Sequence, residues 1–423
     1  VIFVFPLFLL GTVTPSLVKY SVDSLDDSGQ TVGTLGAFNT VGSIIGTFVP
    51  TFVTIPAVGT SITFLIFSGI LILLSVIYFI CQHTGKKKIA ASVLIFILCC
   101  GLGYSDSFAF WQKDLTYEGE SIYNYLQVSE TDRQVVLSTN VLFGVQSVTM
   151  KDKGLTGMYY DTALAAPALA DNANSALILG MGTGTYARQL KQYYPKMNIT
   201  GVEIDQKITD LAGEYFDEPA DIPVTTYDGR AWLAASHDKY DVIMVDAYQD
   251  ITIPFQMSST EFFTMVREHL NPGGVMVVNM NMISDGQGSI NEALSDTIAS
   301  VFGNGNTLTA DVPNTTNREL FAKKPGSGSE ENSMQQASKA LNLRETTYER
   351  TGSEDLEWYM EEVASRFRKV NEPDSASTIL TDDKAPVEVL GMHAIDQIIA
   401  DEAGPYRQIL KDEGFGGLLR AVQ

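Results

Sequence analysis

The sequence predicts a doubly wound α/β domain lying behind a run of apolar helices. Three observations carry this. From Ala176 onward, apolar strand-like runs alternate with helical stretches; a glycine-rich turn, Gly180 to Gly184, joins the first such strand to its helix; and the first hundred residues are far more apolar than the rest. Strands separated by helices imply a parallel sheet covered on both faces. A glycine turn between a buried strand and a helix lets the backbone approach a bound ligand closely.

The 423 residues exceed one ordinary core, so several domains are expected. A spanning helix needs about 20 mostly apolar residues. Residues 61–81 (SITFLIFSGILILLSVIYFIC) meet this outright, 1–18 form a second span, 32–58 a third rich in small residues, and 89–104 a short fourth that crosses or re-enters. Several such segments in series argue against a signal peptide. The chain opens on Val1, not Met, and is read as a processed chain or part of a longer one. Lys86, Lys87 and Lys88 place their loop in the cytoplasm by the positive-inside rule. That sets up a conflict: if 89–104 crosses, the polar remainder lies outside the cell.

Residues 117–148 alternate in short runs separated by turn residues, which predicts a small antiparallel β unit of three to five strands. Helices are then expected at 159–169, 186–194, 207–216, 230–236 and 260–270, with strands at ALILGMG, NITGVEID, PVTTYD, YDVIMVDA and, after an NPGG turn, VMVVNMN. Residues 308–311 and 319–323 are expected to close the sheet as an antiparallel pair, and 357–370 to form a charged amphipathic helix after a Gly/Ser-rich linker.

The net charge of −22 lies mostly after residue 104. Nucleic-acid binding needs a basic footprint and is disfavoured; an acidic domain suits a cationic small molecule. Cys81, Cys99 and Cys100 sit in apolar segments and the four His are scattered, so neither a disulfide framework nor a metal site is indicated.

The chemistry-bearing residues fall at strand ends. Gly180, Gly182 and Gly184 open the first helix, and Glu203 ends the next strand about 20 residues on, where a carboxylate accepts ribose hydroxyls. Asp228 and Gly229 follow the third strand; the acid can reach an adenine amino group, and the pair is also a common turn signal. Asp246 ends the fourth strand. Ligands of open α/β sheets bind at the carboxyl ends of strands, so Glu203, Asp228 and Asp246 converge on one crevice. A carboxylate there can bind an ammonium and take its proton as the amine attacks. Together these features predict a Rossmann-like, methyltransferase-type domain that holds an adenosyl-sulfonium compound, with a dinucleotide enzyme or a plain strand–helix turn as the alternatives.

From Glu118 to Glu388 the chain resembles the polyamine aminopropyltransferases, the spermidine synthase family. SIYN (Ser121–Asn124) resembles the family's S-x-Y-Q, FGVQS with Gln146 its G-x-x-Q, and YYD followed by LAAP its Y-[HQ]-E-M-L-x-H-P helix. GMGTGTYAR resembles G-G-G-D-G-x-x-x-R, and VEID, YDGR and YDVIMVDA follow at family-like spacing. VDAYQDITIPFQMSSTEFF, TDDKAPVE and the apolar GAFNTVGSIIGTFVPTFVTIPAVGT are similar to the membrane-fused branch of that family.

The resemblance implies a membrane-tethered enzyme that moves an aminopropyl group from decarboxylated S-adenosylmethionine to putrescine or a related amine, without a metal. Asp246 would accept the proton. Gly180, Gly182, Thr183, Gly184, Glu203, Asp228, Gly229, Gln146 and Asn124 would hold the donor, and Tyr159, Asp161 and Tyr248 the amine. It implies a bilayer as partner, an oligomer as the common state, and, because adenosyl donors are made inside cells, a cytoplasmic catalytic domain. The expected organisation is a multi-pass membrane region of three to four spans (1–104), a small β domain (105–165), the catalytic domain (166–325), and a linker with a helical tail (326–423). Three departures stand out: Thr183 replaces the family's Asp, Asn124 its Gln, and Leu155 and Thr156 an acidic pair. They keep open an S-adenosylmethionine-dependent methyltransferase on the same fold, and a non-catalytic membrane protein that binds a polyamine or nucleoside.

Overall fold

A computed structural model describes residues 4–22, 28–83, 85–103, 114–140, 145–152, 154–217, 219, 221–247, 253–281, 288–326, 333–373, 377–392, 408–409, 411–412 and 414. Two compact units result: residues 1–113 with 118–126, and residues 114–117 with 127–423.

The first unit is mainly helical: α1 (Val4–Gly11), α2 (Val13–Ser21), α3 (Ser28–Val49), α4 (Ile55–Cys81) and α5 (Lys86–Gly103). A π-helical turn, Pro50–Thr54, links α3 to α4, and Gly59 departs from helical geometry inside α4. Two stretches, Val4–Ser21 and Ser28–Cys81, are long and apolar enough to cross a membrane. Their apolar side chains point outward: Phe38, Phe48, Phe64 and Leu73 are all well exposed.

After the helices, the strands β1 (Leu115–Glu120), β2 (Tyr125–Glu130), β3 (Gln134–Thr139) and β4 (Val145–Met150) form a sheet in sequence order. The expected helix at 159–169 is two short ones, α6 (Tyr159–Ala163) and α7 (Ala165–Leu169). Then follow β5 (Ser175–Leu179), α8 (Thr185–Tyr193), β6 (Asn198–Glu203), α9 (Gln206–Tyr215), β7 (Val224–Thr226), α10 (Gly229–Ala235), β8 (Tyr240–Val245), α11 (Thr260–His269), β9 (Leu270–Asn281) and α12 (Ile290–Phe302). β10 (Thr307–Asp311) and β11 (Asn317–Lys323) pair antiparallel as expected, before α13 (Ser333–Ala337), α14 (Ala340–Thr351), α15 (Glu354–Ser365) and β12 (Phe367–Lys369).

The large sheet runs β12-β10-β11-β9-β8-β5-β6-β7, with β9 through β7 parallel and β11, β10 and β12 antiparallel. Alternate residues of β5 supply two cores. Ala176 and Ile178 pack with Leu164, Leu190 and Met360 on one face; Leu177 and Leu179 pack with Phe262, Phe263 and Leu294 on the other. This period-two division is what a strand covered on both sides requires. From β5 the chain builds outward through β6 and β7, then crosses back to β8. The switch point therefore lies between β5 and β8, and a crevice opens at their carboxyl ends.

Two further elements differ from expectation. NPGG is part of β9, because Gly273 N donates to Lys324 O at 3.0 Å and Lys324 N donates to Gly274 O at 2.9 Å. The helix expected over 357–370 starts at Glu354, capped by Ser353, and stops at Ser365; Phe367–Lys369 then pairs with β10.

Candidate active site

The two strand ends that flank the switch point touch directly. Gly180 follows β5 with φ of 88°, and a Cβ added to it would lie 2.4 Å from the carbonyl oxygen of Asp246. Only glycine fits both the left-handed backbone and the contact. Gly182 and Gly184 also have positive φ, and Gly184 caps α8. This tight turn aims the Gly182 N–H at Glu203 Oε2, 2.8 Å away, while Glu203 Oε1 accepts from Asp205 N at 3.0 Å. Burial pushes the Glu203 carboxyl up, and these backbone hydrogen bonds oppose the rise.

Asp246, half-buried just past β8, accepts from Tyr159 Oη at 2.6 Å and from Asn279 Nδ2 at 2.9 Å. Asn279 Oδ1 accepts in turn from Asn317 Nδ2 at 2.8 Å, which fixes the amide's orientation. Burial raises the Asp246 carboxyl to about 7, against the lowering effect of its two hydrogen bonds. A carboxyl poised there exchanges protons near neutral pH. Tyr159 packs against Tyr160 with ring centroids 4.0 Å apart and the rings tilted by 37°, and Tyr160 Oη donates to the carbonyl of Gln146 at 3.0 Å. Burial raises the Tyr159 phenol well above its ordinary value, so it stays a donor to Asp246.

The other expected site residues are placed as follows. Asp228 caps α10, accepting from Ala231 N at 2.8 Å through Oδ1. Gly229 starts that helix, and a Cβ there would lie 3.7 Å from Leu179. Thr183 is fully buried, its hydroxyl 3.5 Å from that of Thr185. Asp161 is buried and accepts from Thr156 N, Thr156 Oγ1 and Gly157 N at 2.9, 2.9 and 2.6 Å, and also from Gln189. It clasps the loop ahead of α6 and so positions Tyr159. Asn124 belongs to the first unit, where its N–H donates to Ser121 Oγ at 2.9 Å. Tyr248 lies outside the described residues.

Asn279, Asn317 and Tyr160 complete the site and were not anticipated from sequence. The available signal was a polar residue closing an apolar run, VMVVNMN. Among the described residues no cluster of three or more His, Cys, Asp or Glu is arranged to hold a metal ion.

Residues 158–324, which carry this geometry, match the family profile described as spermine/spermidine synthase domain. The chain is 90% identical over 347 residues, 82% of its length, to a probable polyamine aminopropyl transferase of Bifidobacterium longum (strain NCC 2705), covering 78% of that protein. The chain belongs to the polyamine aminopropyltransferase family. A polyamine aminopropyltransferase of Corynebacterium efficiens is 29% identical over 276 residues, 59% of this chain and 52% of that relative. A crystal structure of a probable spermidine synthase from Corynebacterium glutamicum superposes with a TM-score of 0.44 at 22% identity, over 62% of this chain and 97% of the other. As a polyamine aminopropyltransferase the protein is a transferase, and the stretch matched to the family spans the glycine turn, Glu203, Asp228 and Asp246.

Proposed function

We propose that this aminopropyltransferase takes decarboxylated S-adenosylmethionine as donor and putrescine or a closely related amine as acceptor, with Asp246 as proton acceptor. The observation that carries the reading is Asp246 itself: a carboxyl at the switch point, oriented by Tyr159 and Asn279 and poised at about 7. An aliphatic amine with a pKa near 10.4 reaches the site as an ammonium, which is no nucleophile. Asp246 binds that cation and removes one proton. The freed nitrogen lone pair attacks the aminopropyl carbon next to sulfur, the C–N bond forms, and the C–S bond breaks with its electrons passing to sulfur. The products are the aminopropylated amine and methylthioadenosine, and the proton leaves from Asp246 to solvent. Gly180, Gly182 and Gly184 give the donor close backbone approach, Glu203 holds its ribose and Asp228 its adenine. Thr183 and Gln146 complete the donor side, and Tyr159 lines the amine side. Holding both reactants in line supplies most of the rate.

We propose further that residues 1–104 tether the enzyme to a bilayer with the catalytic domain in the cytoplasm. The outward apolar side chains of α3 and α4 support the tether, since a bilayer would bury the surface they present; the cytoplasmic placement follows from where adenosyl donors are made. Detergent-free fractionation is expected to place the protein in the membrane pellet, resistant to salt wash. The reaction is tested with the purified protein, putrescine and decarboxylated S-adenosylmethionine: methylthioadenosine and spermidine are expected in equal amounts. S-adenosylhomocysteine formed from intact S-adenosylmethionine, with no turnover of the decarboxylated donor, overturns the reading.

A further inference from the structure

A cavity of about 730 Å³ lies beside α8, walled also by β3, β4 and the end of α9. Its volume is within the range of about 300–1,000 Å³ usual for small-molecule sites. None of Gly180, Gly182, Glu203, Asp228, Tyr159 or Asp246 lines it, so it is separate from the site described above.

Gln189 gives the cavity its chemistry. This wall residue is only 4% exposed; Nε2 donates to Asp161 Oδ1, and Oε1 has no hydrogen-bond partner among the described residues. An ionised carboxylate only accepts, so the bond to Asp161 fixes which end of the amide faces it and leaves the oxygen over. A buried acceptor without a partner is costly, and a donor entering the cavity relieves it. The charges on the wall point the same way. Lys151 is paired with Glu130 and Lys191 with Asp221, each at 2.7 Å. Arg188 is held by Thr149 Oγ1 at 2.5 Å and by the carbonyl of Phe216. Asp152, Glu214 and Asp217 also line the cavity and hold no ion pair among the described residues. Val135 and Met150 add apolar surface for methylene groups. The wall thus suits a ligand that only donates, carries several positive charges and has aliphatic stretches between them.

The same wall leads to the catalytic carboxyl. Thr156 lines the cavity beside Gln189, and its N–H and hydroxyl both donate to Asp161 at 2.9 Å. Asp161 stands two residues after Tyr159 in α6, and Tyr159 Oη donates to Asp246 at 2.6 Å. A hydrogen bond accepted by Gln189 Oε1 polarises the amide and strengthens what its Nε2 donates. We propose that the cavity is a second, non-catalytic site for a linear polyamine, and that filling it raises turnover by bracing Asp161, and through it Tyr159, against Asp246. The site itself does not depend on the aminopropyl-transfer reading; its effect on turnover rests on that reading.

The test begins with equilibrium dialysis of the full chain, in detergent, against labelled spermidine at about 0.15 M salt, which screens general attraction to an acidic protein. Two saturable sites per chain are expected. Asp152→Lys combined with Glu214→Lys, both exposed and outside the catalytic machinery, is expected to weaken one site at least tenfold and leave the other. Gln189→Met, which removes the acceptor, is expected to weaken the same one. A single site, unsaturable binding, or two sites that survive these changes overturns the assignment. Initial rates of methylthioadenosine release at subsaturating putrescine are then expected to rise at least twofold on adding spermidine to the unsubstituted protein. The doubly charge-reversed protein is expected to show no rise, with its rate in the absence of spermidine within twofold. A rate that responds to spermidine alike in both proteins overturns the bracing and leaves the site. Two spermidine sites in a protein that releases no methylthioadenosine with any amine support the site and overturn the transfer reading.

Discussion

Replacing Asp246 by Asn is the sharpest probe of the proposed chemistry, because it leaves the shape and removes the proton acceptor. With the Asp246 carboxyl at about 7, roughly a tenth of it is ionised at pH 6 and nine-tenths at pH 8. The unsubstituted enzyme should therefore show kcat/KM for the amine rising through pH 7 and then level up to about pH 10, where the free amine itself deprotonates. The amide introduced by Asp246→Asn cannot take a proton, so only amine already neutral reacts. At pH 7.5 that is about one molecule in 800 for a pKa of 10.4. A second loss adds to this. Asp246 accepts from both Tyr159 and Asn279, whereas an amide side chain can accept with one oxygen only, and Asn279 is held against flipping by Asn317. The expected drop at pH 7.5 is about 10²–10⁴-fold, the usual worth of a positioned general base, or about 3–5 kcal/mol at 1.36 per decade. The diagnostic feature is slope. The Asp246→Asn rate should climb tenfold per pH unit to about pH 10 while the unsubstituted rate is flat. Stopped-time assays of methylthioadenosine from pH 6 to 10 decide it. A substituted enzyme that keeps more than a tenth of the activity at pH 7.5, or shares the unsubstituted pH profile, refutes the assignment.

Gly180→Ala would place a methyl 2.4 Å from the Asp246 carbonyl at a φ of 88°; strain and overpacking together cost about 2–5 kcal/mol, which should lower the melting temperature by roughly 5–15 °C and abolish activity. An unchanged melting temperature would refute the contact. Glu203→Gln keeps one of two acceptor oxygens and loses the charge, so the donor KM should rise about 10–150-fold, the equivalent of 1.5–3 kcal/mol, with the amine KM within twofold; initial-rate kinetics separate the two. Asp382, in the TDDKAPVE segment, ties to Arg230 by two bonds of 2.7 and 2.6 Å and to Ser259 at 2.5 Å, which hold its carboxyl down at about 2. Because the folded value is depressed, its stabilisation is present above about pH 4 and lost as pH falls through about 2. Asp382→Asn should therefore be less stable at neutral pH, by no more than about 1 kcal/mol for so exposed a pair, and the gap in melting temperature should close on acidification.

What could be read from the sequence was the part whose chemistry is local. Gly180, Gly182 and Glu203 announce themselves because a glycine turn must follow a strand directly, and the acid must end the next one. Asp246 shows by the same logic. The remainder is set by pairing register. Asn279 and Asn317 lie on strands joined by long connections, and nothing nearby in sequence says that their amides meet. β12 escaped notice because three residues, Phe367–Lys369, follow α15 after one turn residue, and their charges continue its pattern. Thr183 shows the same limit from the other side. By resemblance it replaces an acid of the family's glycine turn, but here the turn buries its side chain against Thr185.

The strand order explains why one carboxyl can serve two reactants. β5 and β6 lie on one side of Asp246 and bring the glycine turn with Glu203; β9 and β11 lie on the other and bring Asn279 and Asn317. On the proposed chemistry the nucleoside and the amine thus approach from opposite halves of the same sheet, and they meet at the residue that follows β8. The antiparallel addition of β11 is what makes the second half possible. A sheet that stopped at β9 would leave Asn279 at an open edge, exposed to water and free to rotate. With β11 in place, Asn317 clamps the Asn279 amide, and Asp246 keeps an oriented donor beside it.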